Sequence, residues 1–448
     1  MKQITQANSA YLSILGKPKA ADGTFRLMKY CAQTPVEDGV LLFNVPTREM
    51  VLLTEEEHAD LLNSQYLRDH WFVVPENTNE KESVDMLRWV AENMQPKTGD
   101  ITGYTILTTT DCNARCFYCY ELGRSRVPMS EETAHKSAKF IKDHCGDKKV
   151  KITWFGGEPL YNLPAIDTIC TDLRQYGVEY SCKMVSNAYL FDDEAVKKAK
   201  ELWNLYLVQI SLDGTESIYN KSKAFIYTEG SAYQVVLANI GRLLDAGIRV
   251  VIRLNFDLYN AEDLLLLVDE LAERFRGKPG LNIYAHHLFE EKKTMNEIHD
   301  DEAWAVRYEA LHRLESRIED LGFSLKKRIS AKLKTNRCMA DNDKCVTLLP
   351  TGDIGVCEHH SEDEFIGHLD SEGFDKSVIA SWKERTPAIA ECSDCAHYPQ
   401  CILLKKCTTS RECFPQFRED KLRQLRKTMQ DEYDAWKKGE KTDEEDED

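Results

Sequence analysis

Between residues 101 and 325 the chain alternates short apolar runs with longer stretches in which apolar positions recur every three or four residues. The runs at 101–108, 150–155, 179–185, 205–212, 248–256 and 281–288 are nearly continuous in aliphatic and aromatic side chains. That is the pattern of strands buried on both faces. The periodic stretches at 130–144, 163–176, 192–202, 231–246 and 262–275 predict helices, and a last helix covers 301–321. Six βα units in a row imply an α/β fold with a parallel sheet and helices outside it. An open doubly wound sheet and a barrel both satisfy this pattern, and periodicity does not separate them.

The flanks read differently. Residues 1–98 hold two short apolar strands, 39–43 (GVLLF) and 49–53 (EMVLL), joined by a hairpin-like connection. Thr54 is an N-cap with Glu57 at the capping-box position, starting a helix that runs to about residue 63. A strand at 71–74, a helix at 83–94 and a boundary at 95–100 complete a small α+β unit. From 326 to 415 the strands become short, turns are frequent and eight cysteines appear. A charged helix at 417–438 and an acidic tail at 440–448, expected to be disordered, close the chain.

Composition narrows the function classes. The formal net charge of −17 argues against bulk nucleic-acid binding, which neutralises phosphates with Lys and Arg. No apolar run approaches the roughly 18–20 residues that span a membrane. The amino terminus lacks the apolar segment of a secretion signal, so a cytoplasmic location is expected. Fifteen cysteines in 448 residues, unevenly clustered and without an export signal, point to metal or redox chemistry instead of a disulfide scaffold.

The densest cluster is Cys112-Asn-Ala-Arg-Cys116-Phe-Tyr-Cys119. Three thiolates at this pitch can bind three irons of a cubane cluster, leaving one iron open. The spacing, with an aromatic before the last cysteine, resembles the signature of the radical S-adenosylmethionine (SAM) superfamily. The resemblance implies that the SAM amine and carboxylate chelate the open iron. Reduction of the cluster then cleaves SAM to methionine and a 5′-deoxyadenosyl radical. Further residues agree, at the carboxyl ends of successive strands where such a fold places its site. Gly156-Gly157-Glu158-Pro159 matches the family's GGEP motif, which holds the SAM amine. Ser186-Asn187-Ala188 resembles its Ser/Thr-Asn-Gly, although Ala188 departs from the pattern. Ser211 resembles a ribose or carboxylate contact, Arg253 can pair with the carboxylate, and the Tyr118 backbone is expected beside the adenine.

The later cysteines resemble the SPASM extension of radical SAM enzymes, with a Gly352-x4-Cys357 spacing and then a Cys-x2-Cys-x5-Cys run. By ligand type alone they could hold two zinc ions or two cubanes. By resemblance, Cys338, Cys345, Cys357 and Cys407 would hold one auxiliary [4Fe–4S] cluster. Cys392, Cys395, Cys401 and Cys413 would hold another, making three clusters in all. The gaps before Cys407 and Cys413 depart from the pattern. Cys31, Cys145, Cys170 and Cys182 remain as buried or incidental residues.

The amino-terminal pattern resembles the PqqD-like, winged-helix-like recognition element of peptide-modifying radical SAM enzymes. Such elements bind a leader peptide as an added strand, here expected near 39–43 and the helix after Thr54. Together the resemblances imply a leader-binding element at 1–98, a partial (β/α)6 TIM-like barrel at 99–325 as radical SAM core, a SPASM domain at 326–415 and a terminal helix and tail at 416–448. The implied activity is an oxidative crosslink, thioether or C–C, in a ribosomally synthesised precursor peptide. An electron donor such as flavodoxin or ferredoxin would reduce the cluster, and an auxiliary cluster would take up the leftover electron. A sulfatase-maturase-like enzyme making formylglycine and a non-catalytic electron-transfer or zinc protein are the alternatives.

Overall fold

The computed structural model describes residues 1–440 except 19–22, 95–98, 122, 289–300, 360–363 and 408–411. The boundary expected at 95–100 lies largely outside the described residues, as does the acidic tail from 441 onward. The chain forms two compact units. One comprises Met1–Lys97, Lys326–Arg337 and Arg385–Asp448; the other comprises Thr98–Leu325 and Cys338–Glu384. The stretch 326–415 is therefore divided between them.

In the first unit, β1 (Lys2–Thr5), β3 (Cys31–Val36), β4 (Gly39–Asn44) and β5 (Glu49–Leu53) form an antiparallel sheet in the order β1-β5-β4-β3. β2 (Phe25–Leu27) and β6 (Val73–Pro75) form a separate ribbon. The Thr54 capping box is present in both directions. Its helix stops at Ala59, short of the expected 63, because Leu61–Asn63 tightens into a 3-10 turn. β4 lies between β5 and β3, so both of its edges are paired. The expectation that an added strand docks near 39–43 is thereby corrected: among the described residues the open edges are those of β1 and β3. The closing helix Pro415–Lys437 is not merely charged. Leu425, Met429 and Tyr433 form an apolar stripe buried with Leu41, Phe43, Met50 and Leu52 of the sheet.

In the second unit, the expected strands appear as β7 (Gly103–Leu107), β8 (Val150–Phe155), β9 (Tyr180–Ser186), β10 (Leu205–Leu212), β11 (Arg249–Phe256) and β12 (Leu281–His287). They pair in parallel in chain order, β7 to β12. A doubly wound sheet reverses its strand order at a switch point. This sheet does not, and right-handed crossovers in constant order set the helices on one face. β7 and β12 do not pair, so the barrel is partial. Beyond β7 the sheet gains β13 (Cys345–Leu348) in parallel, then β14 (Asp353–Gly355) and β15 (Phe365–His368) antiparallel, nine strands in all. The other sheet face carries the polar positions: Ser211, Arg253 and Tyr284 are register partners on three adjacent strands and share that face. Among the described residues no helix is long and apolar enough to cross a membrane.

Candidate functional site

The cysteine loop leaves β7 at its carboxyl end and is clamped from the next strand. Gly157 N–H donates to the Thr109 carbonyl and Glu158 N–H to the Asp111 carbonyl, both at 3.0 Å. A Cβ on Gly156, whose φ is 121°, would lie 2.2 Å from the Thr109 oxygen. One on Gly157 would lie 2.2 Å from the Asp111 oxygen. The two glycines are thus required by chain-to-chain contact with the loop carrying Cys112. Within the loop, Cys112 N–H donates to the Asp111 carboxylate at 2.8 Å and Ala114 N–H to the Cys112 sulfur at 3.3 Å. Burial pushes the Cys112 thiol up to about 12, with Glu158 and the thiols of Cys116 and Cys119 adding to it. Cys119 is pushed up to about 11, mainly by burial, and Cys116 is raised for the same reason. Three soft donors crowded together in a buried loop suit a thiophilic metal centre.

Glu158 is fully buried and gathers the next motif around it. Its carboxylate accepts from Ser186 Oγ at 2.8 Å, Asn187 N–H at 2.8 Å and Leu160 N–H at 3.2 Å. Burial nevertheless pushes its carboxyl up to about 7. Asn187 Nδ2 donates to Asn113 Oδ1 at 2.6 Å and lies 3.7 Å from the Cys112 sulfur. The GGEP segment, Ser186-Asn187 and the cysteine loop are therefore one bonded assembly, and Pro159 joins it through Thr108 Oγ1, which donates to its carbonyl at 2.9 Å. Ala188 has φ 61°, so the position where the resemblance expects glycine keeps the left-handed backbone that glycine favours.

A second group gathers around Tyr118 of the loop. Lys223 Nζ donates to Ser211 Oγ and to the Tyr118 hydroxyl, both at 2.7 Å, and stands 3.4 Å from Asp213. The Tyr118 hydroxyl is 2.7–2.9 Å from both Asp213 carboxylate oxygens. Asn255 Nδ2 donates to Asp213 at 2.8 Å and to Tyr118 at 3.1 Å. Arg253 Nη2 lies 3.1 Å from His286 Nδ1, while its buried Nε has no hydrogen-bond partner among the described residues. An unsatisfied buried guanidinium donor beside Ser211 fits a carboxylate ligand. Lys223, Asp213 and Asn255 were not singled out from the sequence. Lys223 ends a short polar helix, Glu216–Lys223, that has no apolar periodicity to betray it.

Of the carboxyl-terminal cysteines, Cys392, Cys395, Cys401 and Cys413 are brought together within the first unit. Burial pushes the Cys401 thiol up to about 11, and Cys413, Cys395 and Cys392 all add to the rise. Arg88 on the helix Glu80–Asn93 donates to the carbonyls of Tyr398 at 3.2 Å and Cys401 at 2.8 Å. Tyr30 donates to the Cys392 carbonyl at 3.3 Å, and Arg418 approaches the Cys413 sulfur at 3.9 Å. Cys407 also belongs to the first unit, whereas Cys338, Cys345 and Cys357 belong to the second. Cys345 opens β13 opposite Gly103, where a Cβ would meet its sulfur at 2.6 Å. Among the described residues no three His, Cys, Asp or Glu groups converge as the ligands of a single ion would. A cubane asks instead for one thiol on each iron. Cys31, Cys145, Cys170 and Cys182 are buried.

Residues 106–271 match the model of the Radical SAM superfamily, so the second unit carries a radical SAM domain. Such a domain implies an enzyme that uses SAM and a [4Fe–4S] cluster. Among curated relatives, the uncharacterized protein MJ0907 of Methanocaldococcus jannaschii is 33% identical over 112 residues, 24% of this chain and 37% of that protein. A probable GTP 3′,8-cyclase of Archaeoglobus fulgidus is 32% identical over 155 residues, 34% of this chain and 47% of the relative. The match therefore spans less than half the length of either relative. Among solved structures, native anSMEcpe with bound AdoMet and Cp18Cys peptide superposes with a TM-score of 0.54 at 15% identity, covering 75% of this chain and 98% of that one. Streptococcus suis SuiB bound to S-adenosylmethionine gives 0.50 at 13% identity, covering 84% and 94%. These two similarities establish a shared fold.

Proposed function

We propose that this chain is a radical SAM maturase that installs an oxidative crosslink, thioether or C–C, in a ribosomally synthesised precursor peptide. The observation that carries the reading is the bonded assembly of the loop bearing Cys112, Cys116 and Cys119 with Glu158, Ser186 and Asn187, together with the buried, unsatisfied Nε of Arg253. Bound SAM and its cluster would supply the 5′-deoxyadenosyl radical that removes a hydrogen atom from the peptide. In this reading the three cysteines hold the cluster and Glu158 with the GGEP backbone receives the SAM amine. Asn187 lies towards the ribose, and Arg253 with Ser211 receives the carboxylate. Cys392, Cys395, Cys401 and Cys413 would hold one auxiliary cluster; Cys338, Cys345, Cys357 and Cys407 would hold the other. The PqqD-like reading of the amino-terminal unit is supported by a four-stranded sheet with two open edges. Pro35 lacks an N–H and blunts one end of the β3 edge, which leaves residues 31–34 and the β1 edge for a leader strand.

Anaerobic co-expression with candidate precursor peptides, followed by mass spectrometry, tests the proposal. The expected result is loss of two hydrogens per linkage, with fragmentation blocked between the joined residues. The same mass loss confined to one Ser, or loss of sulfur at one Cys with its CH2SH converted to CHO, trappable as an aldehyde, would favour formylglycine formation instead. An unmodified peptide while SAM is consumed would refute the peptide assignment. Turnover of GTP would point to the reaction in the archaeal relative's name. Full reconstitution should yield about twelve irons per chain, three cubanes of four irons each.

A further inference from the structure

Lys223 is an expensive residue to place where it stands. Its side chain is 3% exposed and that of Asp213 is fully buried. A buried ion pair of this kind is seldom retained for stability, since apolar replacements often serve as well. Each end of the residue is directed at the cysteine site. Its carbonyl accepts from Arg115 N–H at 2.8 Å, within the loop between Cys112 and Cys116, and lies 4.0 Å from the Cys116 sulfur. Its ammonium reaches Ser211 Oγ and the Tyr118 hydroxyl. Ser211 is the register partner of Arg253, whose Nε is buried and unsatisfied. Lys223 thus reaches Ser211 from the helix Glu216–Lys223, and Arg253 stands beside the same serine in register on the neighbouring strand.

We propose that Lys223 is a positioning residue for the cofactor. Its ammonium orients the Ser211 hydroxyl and supplies, with Arg253, the positive field that fixes the carboxylate end of SAM. Through Tyr118 and its own carbonyl it also holds the turn between Cys116 and Cys119 in register. The inference rests on the proposed use of SAM and extends it to a residue outside the motifs. Lys223 acts through Ser211 and Tyr118, so its loss disturbs the alignment of the ligand without removing a metal ligand. Asp213 and Asn255 serve the same end by holding the Tyr118 hydroxyl and balancing the charge.

The experiment uses the full chain, reconstituted anaerobically, with SAM as the probe. Lys223→Met keeps the length of the side chain and removes its charge; Lys223→Arg keeps the charge. The expected result is SAM binding about tenfold weaker in Lys223→Met, equivalent to ~1.4 kcal/mol, with wild-type iron content. Lys223→Arg should recover most of the affinity. The reduced-cluster EPR signal should shift on SAM addition in wild type and Lys223→Arg, and should fail to shift in Lys223→Met at the same concentration. A merely structural lysine would change iron content or melting without this selective loss. If Lys223→Met does not retain iron, Tyr118→Phe decides, since it keeps the ring and removes the hydroxyl. Weaker SAM binding at full iron content supports the inference, and wild-type affinity overturns it. Wild-type affinity in Lys223→Met overturns it directly. A wild-type chain that holds iron but binds no SAM would overturn the proposed function itself, an outcome distinct from equal binding by wild type and variant.

Discussion

Replacing Gly157 with alanine would place a methyl carbon 2.2 Å from the Asp111 carbonyl oxygen and 2.6 Å from its carbon. Both obstacles are backbone, so relief requires the loop or the end of β8 to move by about 1 Å, more than a packed interior tolerates locally. Such a shift breaks two hydrogen bonds, Gly157 N–H to Thr109 and Glu158 N–H to Asp111. A net hydrogen bond is worth about 1 kcal/mol, and a buried donor left unsatisfied costs about 1–3 kcal/mol. Together these give a loss of roughly 2–4 kcal/mol, or roughly 5–10 °C in the melting midpoint of a unit of this size. Because the displaced loop carries Cys112, iron content should fall by about four per chain, one cubane. Gly241, inside the helix Ala232–Asp245, is the matched control, since a Cβ there meets only the Phe275 ring at 3.9 Å. Alanine at 241 should stabilise by about 0.5–1 kcal/mol through helix propensity. Differential scanning calorimetry with iron analysis of the two variants separates the effects. A Gly157→Ala protein with wild-type midpoint and iron content would show that the glycines do not serve this contact.

Ala188→Gly removes a left-handed alanine at φ 61° and should stabilise the protein by up to about 1 kcal/mol, read as a slightly higher melting midpoint, since relief of strain exceeds the entropy cost of glycine. A drop of similar size would contradict that account. Arg253→Lys should weaken SAM binding about tenfold at full iron content, because an ammonium cannot reproduce the guanidinium fork; calorimetric titration reads it directly. Arg88→Met removes two bonds to the carbonyls of Tyr398 and Cys401 and a cation stacked 4.8 Å above the Tyr398 ring. It should destabilise the first unit by about 2–3 kcal/mol, visible as faster amide exchange across residues 392–401. In metal-free protein, Cys112, Cys119 and Cys401 are pushed up to about 12, 11 and 11 by burial. Each therefore stays a thiol at pH 8, and its alkylation rate should rise nearly tenfold per pH unit up to pH 10 or beyond. A plateau below pH 9.5, as for an exposed thiol of pKa about 8.5, would contradict the burial argument.

The six barrel strands were legible because burial on both faces leaves continuous apolar runs, and each appears within a few residues of its expected place. The choice between open sheet and barrel was not legible, since it depends on which strands pair. β3 escaped notice because Gln33, Thr34 and Pro35 interrupt its apolar run. β13 escaped because four residues are too few to show a period. The GGEP segment was visible as a motif, but its glycines meet the backbone of Thr109 and Asp111, a contact that no local pattern encodes. Lys223 was invisible for a similar reason. A single lysine on a polar helix reads as solvated, and only the tertiary position of Asp213 and Tyr118 buries it.

The first unit is assembled from both ends of the chain. Leu425, Met429 and Tyr433 cover the sheet of residues 31–53, and the Cys392–Cys401 segment packs on Tyr30 and the helix bearing Arg88. The amino-terminal stretch is therefore not a detachable cassette. A chimera that exchanged residues 1–97 alone would set a foreign sheet under the native closing helix and take Arg88 away from the Tyr398 and Cys401 carbonyls that accept from it. A stable exchange would require the cysteine segment and the closing helix to travel with the amino-terminal residues. Within such lineages, changes at the two chain ends are expected to occur in step.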